Sequence, residues 1–168
     1  DFRGERSIGE YVYLPGRTNS SEMVNKGTIS LSGKESYGMK IAATSGADAS
    51  MTNEGTINIR KNPDGVDKAD NSAAMALMAD STVTGGVSLA SGKAMNTGTI
   101  NLTDVQNSIG TYVNIASDIT NTGNININST IAKAATDQPV NIGMRSDTNT
   151  NAKSINSGTI TLDGSYAI

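Results

Sequence analysis

One seven-residue motif recurs five times along this chain of 168 residues, and it constrains the fold more than any other feature. Each copy has Asn first, Gly third, Ile fifth, and Leu or Ile seventh. The copies are NKGTISL (25–31), NEGTINI (53–59), NTGTINL (96–102), NTGNINI (121–127) and NSGTITL (156–162). Apolar residues two positions apart follow the side-chain period of a β-strand. A strand motif that returns every 25 to 43 residues, with spacers of variable length, predicts the coils of a parallel β-helix.

A second, shorter motif alternates with the first: Ser or Asn, then an apolar residue, then Gly or Ala. The copies are SIG (7–9), SYG (36–38), SAA (72–74), SIG (108–110), NIG (141–143) and SYA (165–167). The copy at 72–74 departs from the pattern because it lacks the Gly. Met39, Met75 and Met144 follow three of the copies, and we expect their flexible side chains to fill gaps in the core. Since the chain starts and stops partway through a repeat, we expect the parent protein to continue in both directions.

Each position of the seven-residue motif has a predicted role. Asn tolerates a left-handed backbone and Gly permits a sharp bend, so the first three residues are expected to form a corner. The Ile and the following Leu or Ile point inward and stack on their counterparts in the next coil. Coils lie about 4.8 Å apart, a spacing at which the asparagines can form one hydrogen-bonded ladder. This structural ladder comprises Asn25, Asn53, Asn96, Asn121 and Asn156. The residues between the two apolar positions point outward: Ser30, Asn58, Asn101, Asn126 and Thr161.

The predicted fold class is therefore all-β: a right-handed parallel β-helix (solenoid) of about six coils, with residues 1–168 as a single segment of a longer protein. Insertions near 60–71, 80–93 and 128–140 lengthen three of the spacers. Loops on a rigid scaffold often carry binding residues, but they also occur as surface loops without a partner. The candidate binding residues in these loops are Arg60, Lys61, Asp64, Asp67, Lys68, Lys133 and Asp137.

The residue types present limit the chemistry. The sequence has no Cys and no His, which excludes Ser-His-Asp and Cys-His catalysis within this chain and thiolate metal sites. We predict no catalytic residue, no metal site and no cofactor. Asp64, Asp67 and Asp70 are the candidates for cleavage of a carbohydrate, but the Pro-Asp-Gly at 63–65 favours a solvated turn. A net charge of -3 without a basic stripe argues against nucleic acid as a partner.

The alternation of NxGxIxL with SYGM and SIGT units resembles the passenger domains of large fusobacterial autotransporters (type Va secretion), RadD-like adhesins among them. The similarity extends over essentially the whole chain, and SAAM (72–75) and the two long insertions depart from it. The resemblance implies a right-handed β-helix at the cell surface, tethered to the bacterial outer membrane by a C-terminal membrane β-barrel of the same parent chain. It also implies adhesion to a host-cell receptor or glycan, or to the surface of another bacterium, with roles in coaggregation and virulence.

Three functions are compatible with the sequence. The first is an adhesin segment that binds host cells or other bacteria through surface loops on a rigid rod, and we prefer it. The second is a carbohydrate-active β-helix enzyme, and the third is a purely structural stalk or spacer.

Overall fold

The computed structural model describes residues 2–15, 19–44, 46–62, 69–79, 91–129, 141–147 and 152–164. The described residues form eighteen short β-strands. In chain order the strands are β1 (Phe2–Arg3), β2 (Ile8–Leu14), β3 (Ser20–Asn25), β4 (Thr28–Ser32), β5 (Tyr37–Ala43), β6 (Asp48–Asn53), β7 (Thr56–Arg60), β8 (Ala69–Asp70), β9 (Ala73–Ala79), β10 (Ser91–Asn96), β11 (Thr99–Thr103), β12 (Val105–Gln106), β13 (Ile109–Val113), β14 (Asp118–Asn121), β15 (Asn124–Ser129), β16 (Ile142–Ser146), β17 (Ser154–Asn156) and β18 (Thr159–Gly164). Across these ranges there is no helix with the length and apolar character needed to cross a membrane.

Three parallel sheets enclose one core. The first sheet has the order β1-β4-β7-β11-β15-β18, the second has the order β2-β5-β9-β13-β16, and the third has the order β3-β6-β10-β14-β17. The chain passes through the second, third and first sheets in turn, so each coil adds one strand to each sheet. Every strand pairs in parallel with its counterparts in the neighbouring coils. Five such coils follow β1, and the architecture is a right-handed parallel β-helix, which confirms the predicted fold class.

The seven-residue motif occupies the same place in every coil. Its Ile forms an in-register column in the first sheet, which consists of Ile29, Ile57, Ile100, Ile125 and Ile160. Its last residue forms a second column, which consists of Leu31, Ile59, Leu102, Ile127 and Leu162. In the first four coils both columns are buried, with no residue more than 9% exposed. Branched side chains at the same position of successive coils, all Ile in one column and alternating Leu and Ile in the other, pack along the axis, and their removal from water drives the stacking.

The Gly of the short motif makes room for the Ile of the long one. A Cβ placed on Gly38 in β5 would lie 2.6 Å from Cγ2 of Ile57, and one on Gly110 in β13 would lie 2.9 Å from Cγ2 of Ile125. The Gly of the short motif, which has no side chain, therefore leaves space in the core that the Ile of the long motif fills. The methionines that follow also belong to the core, since Met39 and Met75 are fully buried and Met144 packs against the buried cluster.

The five ladder asparagines end the strands of the third sheet and bond one another along the axis. Nδ2 of Asn25 donates to Oδ1 of Asn53 at 2.8 Å, and Asn53 donates to Asn96 at 2.7 Å. Asn96 donates to Asn121, and Asn121 donates to Asn156, each at 2.8 Å. The first four side chains are at most 3% exposed. Because a buried amide left without a partner costs about 1–3 kcal/mol, the ladder makes each coil depend on the next.

The corner after the ladder lies where the motif predicts it, since the backbone bends at each of the five glycines between the third and first sheets. None of the five asparagines and none of these glycines has a positive φ, so the bend is made without a left-handed backbone. Gly is needed there because the coils touch: a Cβ on Gly98 would lie 2.1 Å from the carbonyl oxygen of Gly55. Left-handed residues lie instead between the first and second sheets, where Glu35, Asn71 and Asn107 have φ values of 54°, 56° and 48°.

Most of the three predicted insertions lies outside the described residues, which do not include 63–68, 80–90 and 130–140. Their described ends belong to strands of the scaffold. Arg60 ends β7, residues 91–93 open β10, and Asn128 and Ser129 end β15. The two-residue strands β8 and β12 pair with each other between the first and second sheets.

Substitution of Gly98 by Ala tests the close approach of the coils. We expect Gly98→Ala to lower the free energy of unfolding by about 3 kcal/mol, since backbone would have to move to admit the methyl group. Gly27→Ala is the matched control, because the same motif position in the first coil has only Oδ1 of Asn25, at 4.0 Å, near an added Cβ. The measurement is the urea midpoint of the far-UV circular dichroism signal. Equal shifts for the two variants would contradict the stacking geometry.

Removal of one amide from the middle of the ladder tests its contribution to stability. Asn96→Ala leaves Nδ2 of Asn53 and Oδ1 of Asn121 without their ladder partners. We expect a loss of about 2–3 kcal/mol, from the cost of buried unpaired polar groups. Asn101→Ala, on the outside of the same coil, should cost less than about 1 kcal/mol. Thermal melting of the two variants side by side gives the comparison, and the account fails if Asn101→Ala is the more damaging change.

Candidate functional site

The outward side of the first sheet carries polar side chains, because alternation along each strand places them opposite the buried Ile and Leu columns. We call this surface the asparagine face. Its central row is Ser30, Asn58, Asn101, Asn126 and Thr161, and beside it runs an exposed row of Arg60, Thr103, Asn128 and Asp163. The central row consists of amides and hydroxyls, and Thr103 and Asn128 add one of each to the second row. The face is therefore rich in neutral hydrogen-bonding groups that repeat at the spacing of the coils.

Hydrogen bonds along the central row hold its side chains in order. Nδ2 of Asn126 donates to Oδ1 of Asn101 at 2.9 Å, Asn101 donates to Asn58 at 2.8 Å, and Asn58 donates to Oγ of Ser30 at 3.3 Å. The donors in this row point toward the first coil, whereas those in the buried ladder point toward the last. Each amide has a second N–H and a second oxygen lone pair in addition to these bonds. The row is thus a set of ordered polar groups with capacity to bind a ligand.

A shallow groove of about 550 Å³ lies between the two rows and extends over four coils. The central row from Ser30 to Asn126 lines one side, and Arg60, Thr103 and Asn128 line the other. Arg60 is the one charged residue of this lining. Its planar guanidinium offers several donors in a fixed arrangement, which suits recognition of paired oxygens.

Of the seven candidate binding residues predicted in the loops, the structure describes two, Arg60 and Lys61. Arg60 lies at the end of β7 on the edge of the groove. Lys61 follows it, exposed, and its backbone N–H donates to the carbonyl of Thr103 at 3.1 Å. The candidates Asp64, Asp67, Lys68, Lys133 and Asp137 lie outside the described residues. Two of the insertions leave the scaffold at the groove, because Arg60 and Asn128, which both line it, begin the segments 60–71 and 128–140.

The outward side of the second sheet carries a different set of side chains, which we call the tyrosine face. One of its rows is Ile8, Tyr37, Ala73, Ile109 and Ile142, and the next is Tyr11, Lys40, Ala76, Tyr112 and Arg145. In both rows the third coil contributes only Ala. Ala76 is fully buried, whereas Ala73 lines a depression of about 220 Å³, with Tyr37 on one side and Ile109 and Tyr112 on the other. We call this depression the alanine notch.

Charged groups border the tyrosine rings. Nζ of Lys40 lies 4.5 Å from the centre of the Tyr37 ring, and the guanidinium of Arg145 lies 5.6 Å from that of Tyr112. Burial raises the pKa of both phenols, and the nearby carboxylates of Glu35 and Asp147 raise the two pKa values further. The two tyrosines are therefore neutral hydrogen-bond donors at physiological pH.

An ion pair lies beside Tyr112. Arg145 and Asp147 approach to 2.7 Å, and the phenol of Tyr112 donates to the same carboxylate at 3.3 Å. The hydrogen bond from Arg145 lowers the pKa of Asp147. Arg145 is thus paired with an ionised carboxylate at physiological pH. Lys40, by contrast, has no carboxylate within 4 Å among the residues that the structure describes.

The sequence prediction missed the alanine notch, although a signal for it was present. The SAA copy at 72–74 departs from the motif at its third position, where Ala74 replaces the Gly. The notch, however, comes from its second position, where Ala73 replaces the Tyr or Ile of the other coils. In the described part of the chain, no three residues of the types His, Cys, Asp and Glu lie together as a metal-binding group.

Comparison with known proteins gives one match. A family model for the BigA third pectate lyase-like domain matches residues 3–88, just over half of the chain. No curated protein and no solved structure matches the chain significantly. The match supports the broad class that the resemblance implies, an adhesin-like β-helical passenger. The narrower likeness to RadD-like fusobacterial adhesins stays a prediction.

Proposed function

Because this chain belongs to the family of the BigA third pectate lyase-like domain, we propose that it is an adhesive segment of a bacterial surface passenger and that its asparagine face binds glycans. The observation that carries this proposal is the groove of about 550 Å³, in which neutral amides and hydroxyls repeat over four coils. The ligand is a glycan of a host cell or of another bacterium. The narrower assignments, to a RadD-like protein tethered to the outer membrane and active in coaggregation and virulence, belong to the same proposal.

The chemistry of the groove suits a polyhydroxylated ligand. Sugar hydroxyls both donate and accept hydrogen bonds, as do the side-chain amides of Asn58, Asn101 and Asn126. A single such bond contributes only about 0.5–1.5 kcal/mol, so useful affinity requires several. The coils supply them at a regular spacing of about 4.8 Å along the axis, which favours a linear glycan lying along the rod. Repetition on a long passenger then multiplies weak contacts into avidity.

The insertions extend the same site. Segments 60–71 and 128–140 begin at Arg60 and Asn128, which both line the groove. We include Lys61, Asp64, Asp67, Lys68, Lys133 and Asp137 in the proposed binding site on this ground. Recognition would then combine polar side chains on rigid strands with residues of the inserted loops, as is common in repeat proteins.

We propose binding without cleavage. The absence of His and Cys from the sequence removes the common general base and the common thiol nucleophile. A carbohydrate-active enzyme and a spacer without a ligand are the competing functions, and one experiment separates all three.

The test is glycan-array binding by the chain displayed on beads, followed by a double variant, Arg60→Gln with Asn101→Ala. We expect array binding to fall about tenfold in the double variant, because two to three hydrogen bonds are lost. Thr120→Ala, an outward residue of the third sheet, is the control and should bind like the original chain. Deletion of 63–68 or 130–140 should also weaken binding.

Three outcomes would overturn the proposal. Absence of binding to any glycan or cell surface favours a spacer. Release of sugar from a polymeric glycan, abolished by Asp64→Ala or Asp67→Ala, favours an enzyme. Binding that is unchanged in the double variant places the ligand elsewhere than on the asparagine face.

A further inference from the structure

The alanine notch exists because one coil departs from the repeat. Tyr37, Ala73 and Ile109 are neighbours in register on three successive strands of the second sheet. The Cα atoms of Tyr37 and Ile109 are therefore about 9.6 Å apart, two coil spacings. Ala73 lies between them and is only 4% exposed, so its methyl group forms the floor of the notch. A Tyr or Ile at position 73 would continue the row and fill the gap. The volume of about 220 Å³ is below the usual range for drug-sized ligands and corresponds to a single small group.

One end of the notch is formed by two amides. Asn71 and Asn107 both have left-handed backbones, which turns their side chains out beside the notch, and Nδ2 of Asn107 donates to Oδ1 of Asn71. Within the described residues, Nδ2 of Asn71 and Oδ1 of Asn107 make no hydrogen bond to protein. The pair thus offers one donor and one acceptor, side by side, next to the apolar walls. Apolar walls with a few fixed polar groups are characteristic of small-ligand sites.

The charge beside the notch is positive. Arg6 is paired with Glu35 at 2.8 Å, and Arg145 is paired with Asp147 at 2.7 Å. Lys40 lies on the other side of Tyr37, in an adjoining depression of about 410 Å³ that shares Tyr37 and Asn71 with the notch. Its ammonium group contacts the Tyr37 ring and no described carboxylate. A ligand in the notch whose carboxylate extends past Tyr37 would therefore meet an ammonium group without displacing an existing ion pair.

We propose that the alanine notch holds a single sugar that carries a carboxylate, such as a sialic or uronic acid at the end of a glycan. The sugar ring lies over Ala73 between the side chains of Tyr37 and Ile109. Its hydroxyls bond to the Asn71–Asn107 pair, and its carboxylate extends past Tyr37 to Lys40 in the adjoining depression. Rings of this kind present apolar C–H surfaces that pack against aromatic and aliphatic side chains. This site lies on a different sheet from the asparagine face and does not depend on it.

The test uses the whole chain and four probes: 3′-sialyllactose, lactose, a hyaluronan tetrasaccharide, and a short peptide of Asp and Glu. Binding is followed by ligand-observed NMR and by calorimetry. We expect at least one of the two acidic glycans to bind at least tenfold more tightly than lactose and than the peptide. A preference between them identifies a sialic or a uronic acid as the sugar. Equal binding of lactose, tighter binding of the peptide, or failure of both acidic glycans to bind would overturn the proposal.

Two variants locate the site. Ala73→Ile fills the notch with the side chain that Ile109 and Ile142 already place in this row, and it should weaken acidic-glycan binding at least tenfold. Lys40→Gln should weaken it about fivefold and leave any lactose binding unchanged. Far-UV circular dichroism checks that both variants keep the fold. Acidic-glycan binding that both variants retain at the original strength would refute the assignment.

A further variant separates the two sites. Arg60→Gln with Asn101→Ala alters only the asparagine face and should leave notch binding intact. If this variant abolished sialyllactose binding while Ala73→Ile did not, the acidic sugar would belong to the asparagine face, and the notch proposal alone would fail.

Discussion

The structure depends on the exact superposition of one short motif in successive coils. Its Asn bonds to the same Asn in the next coil, its Ile packs on the same Ile, and its Gly lets the two backbones touch. A slip of one residue would turn every buried Ile outward and every outward Asn inward. The buried amides make that error costly, because each ladder Asn bonds the Asn of the next coil and a nearby backbone carbonyl, and this register brings both partners within reach. A chain with only 4% aromatic residues thereby specifies a single register.

Once the core is fixed in this way, the surfaces are free to differ. The same alternation that buries the apolar columns displays an ordered row of amides and hydroxyls on the first sheet, which we propose as a glycan-binding face. On the second sheet, the outward positions vary from coil to coil without disturbing the core, and Ala73 of the third coil leaves a notch between larger neighbours. A β-helix thus gives an adhesive surface protein a rigid backbone on which the outward side chains can vary.

Much of this was predictable from the sequence, and the failures have physical causes. The Asn-Gly-Ile spacing predicted the sheet, its parallel register and the outward row, because a strand has a strict period of two. The bend at Gly98 was predicted, but its close contact with Gly55 was not, since close approach of two coils is a contact between residues 43 apart, which local turn chemistry does not reveal. The notch was missed for a related reason: Ala73 is unremarkable until the register places Tyr37 and Ile109 on either side of it.

A disulfide engineered across two coils measures the register most directly, because the chain has no cysteine of its own. Asn58 and Asn101 are paired neighbours on β7 and β11, whereas Asn58 and Asn126 are two coils apart. A disulfide needs Cα atoms about 4.4–6.8 Å apart. Mild oxidation of Asn58→Cys/Asn101→Cys should therefore close a bond, seen by mass spectrometry of proteolytic fragments, and Asn58→Cys/Asn126→Cys should stay reduced. The opposite result, or equal crosslinking of the two pairs, would contradict the stacked arrangement from which both binding surfaces follow.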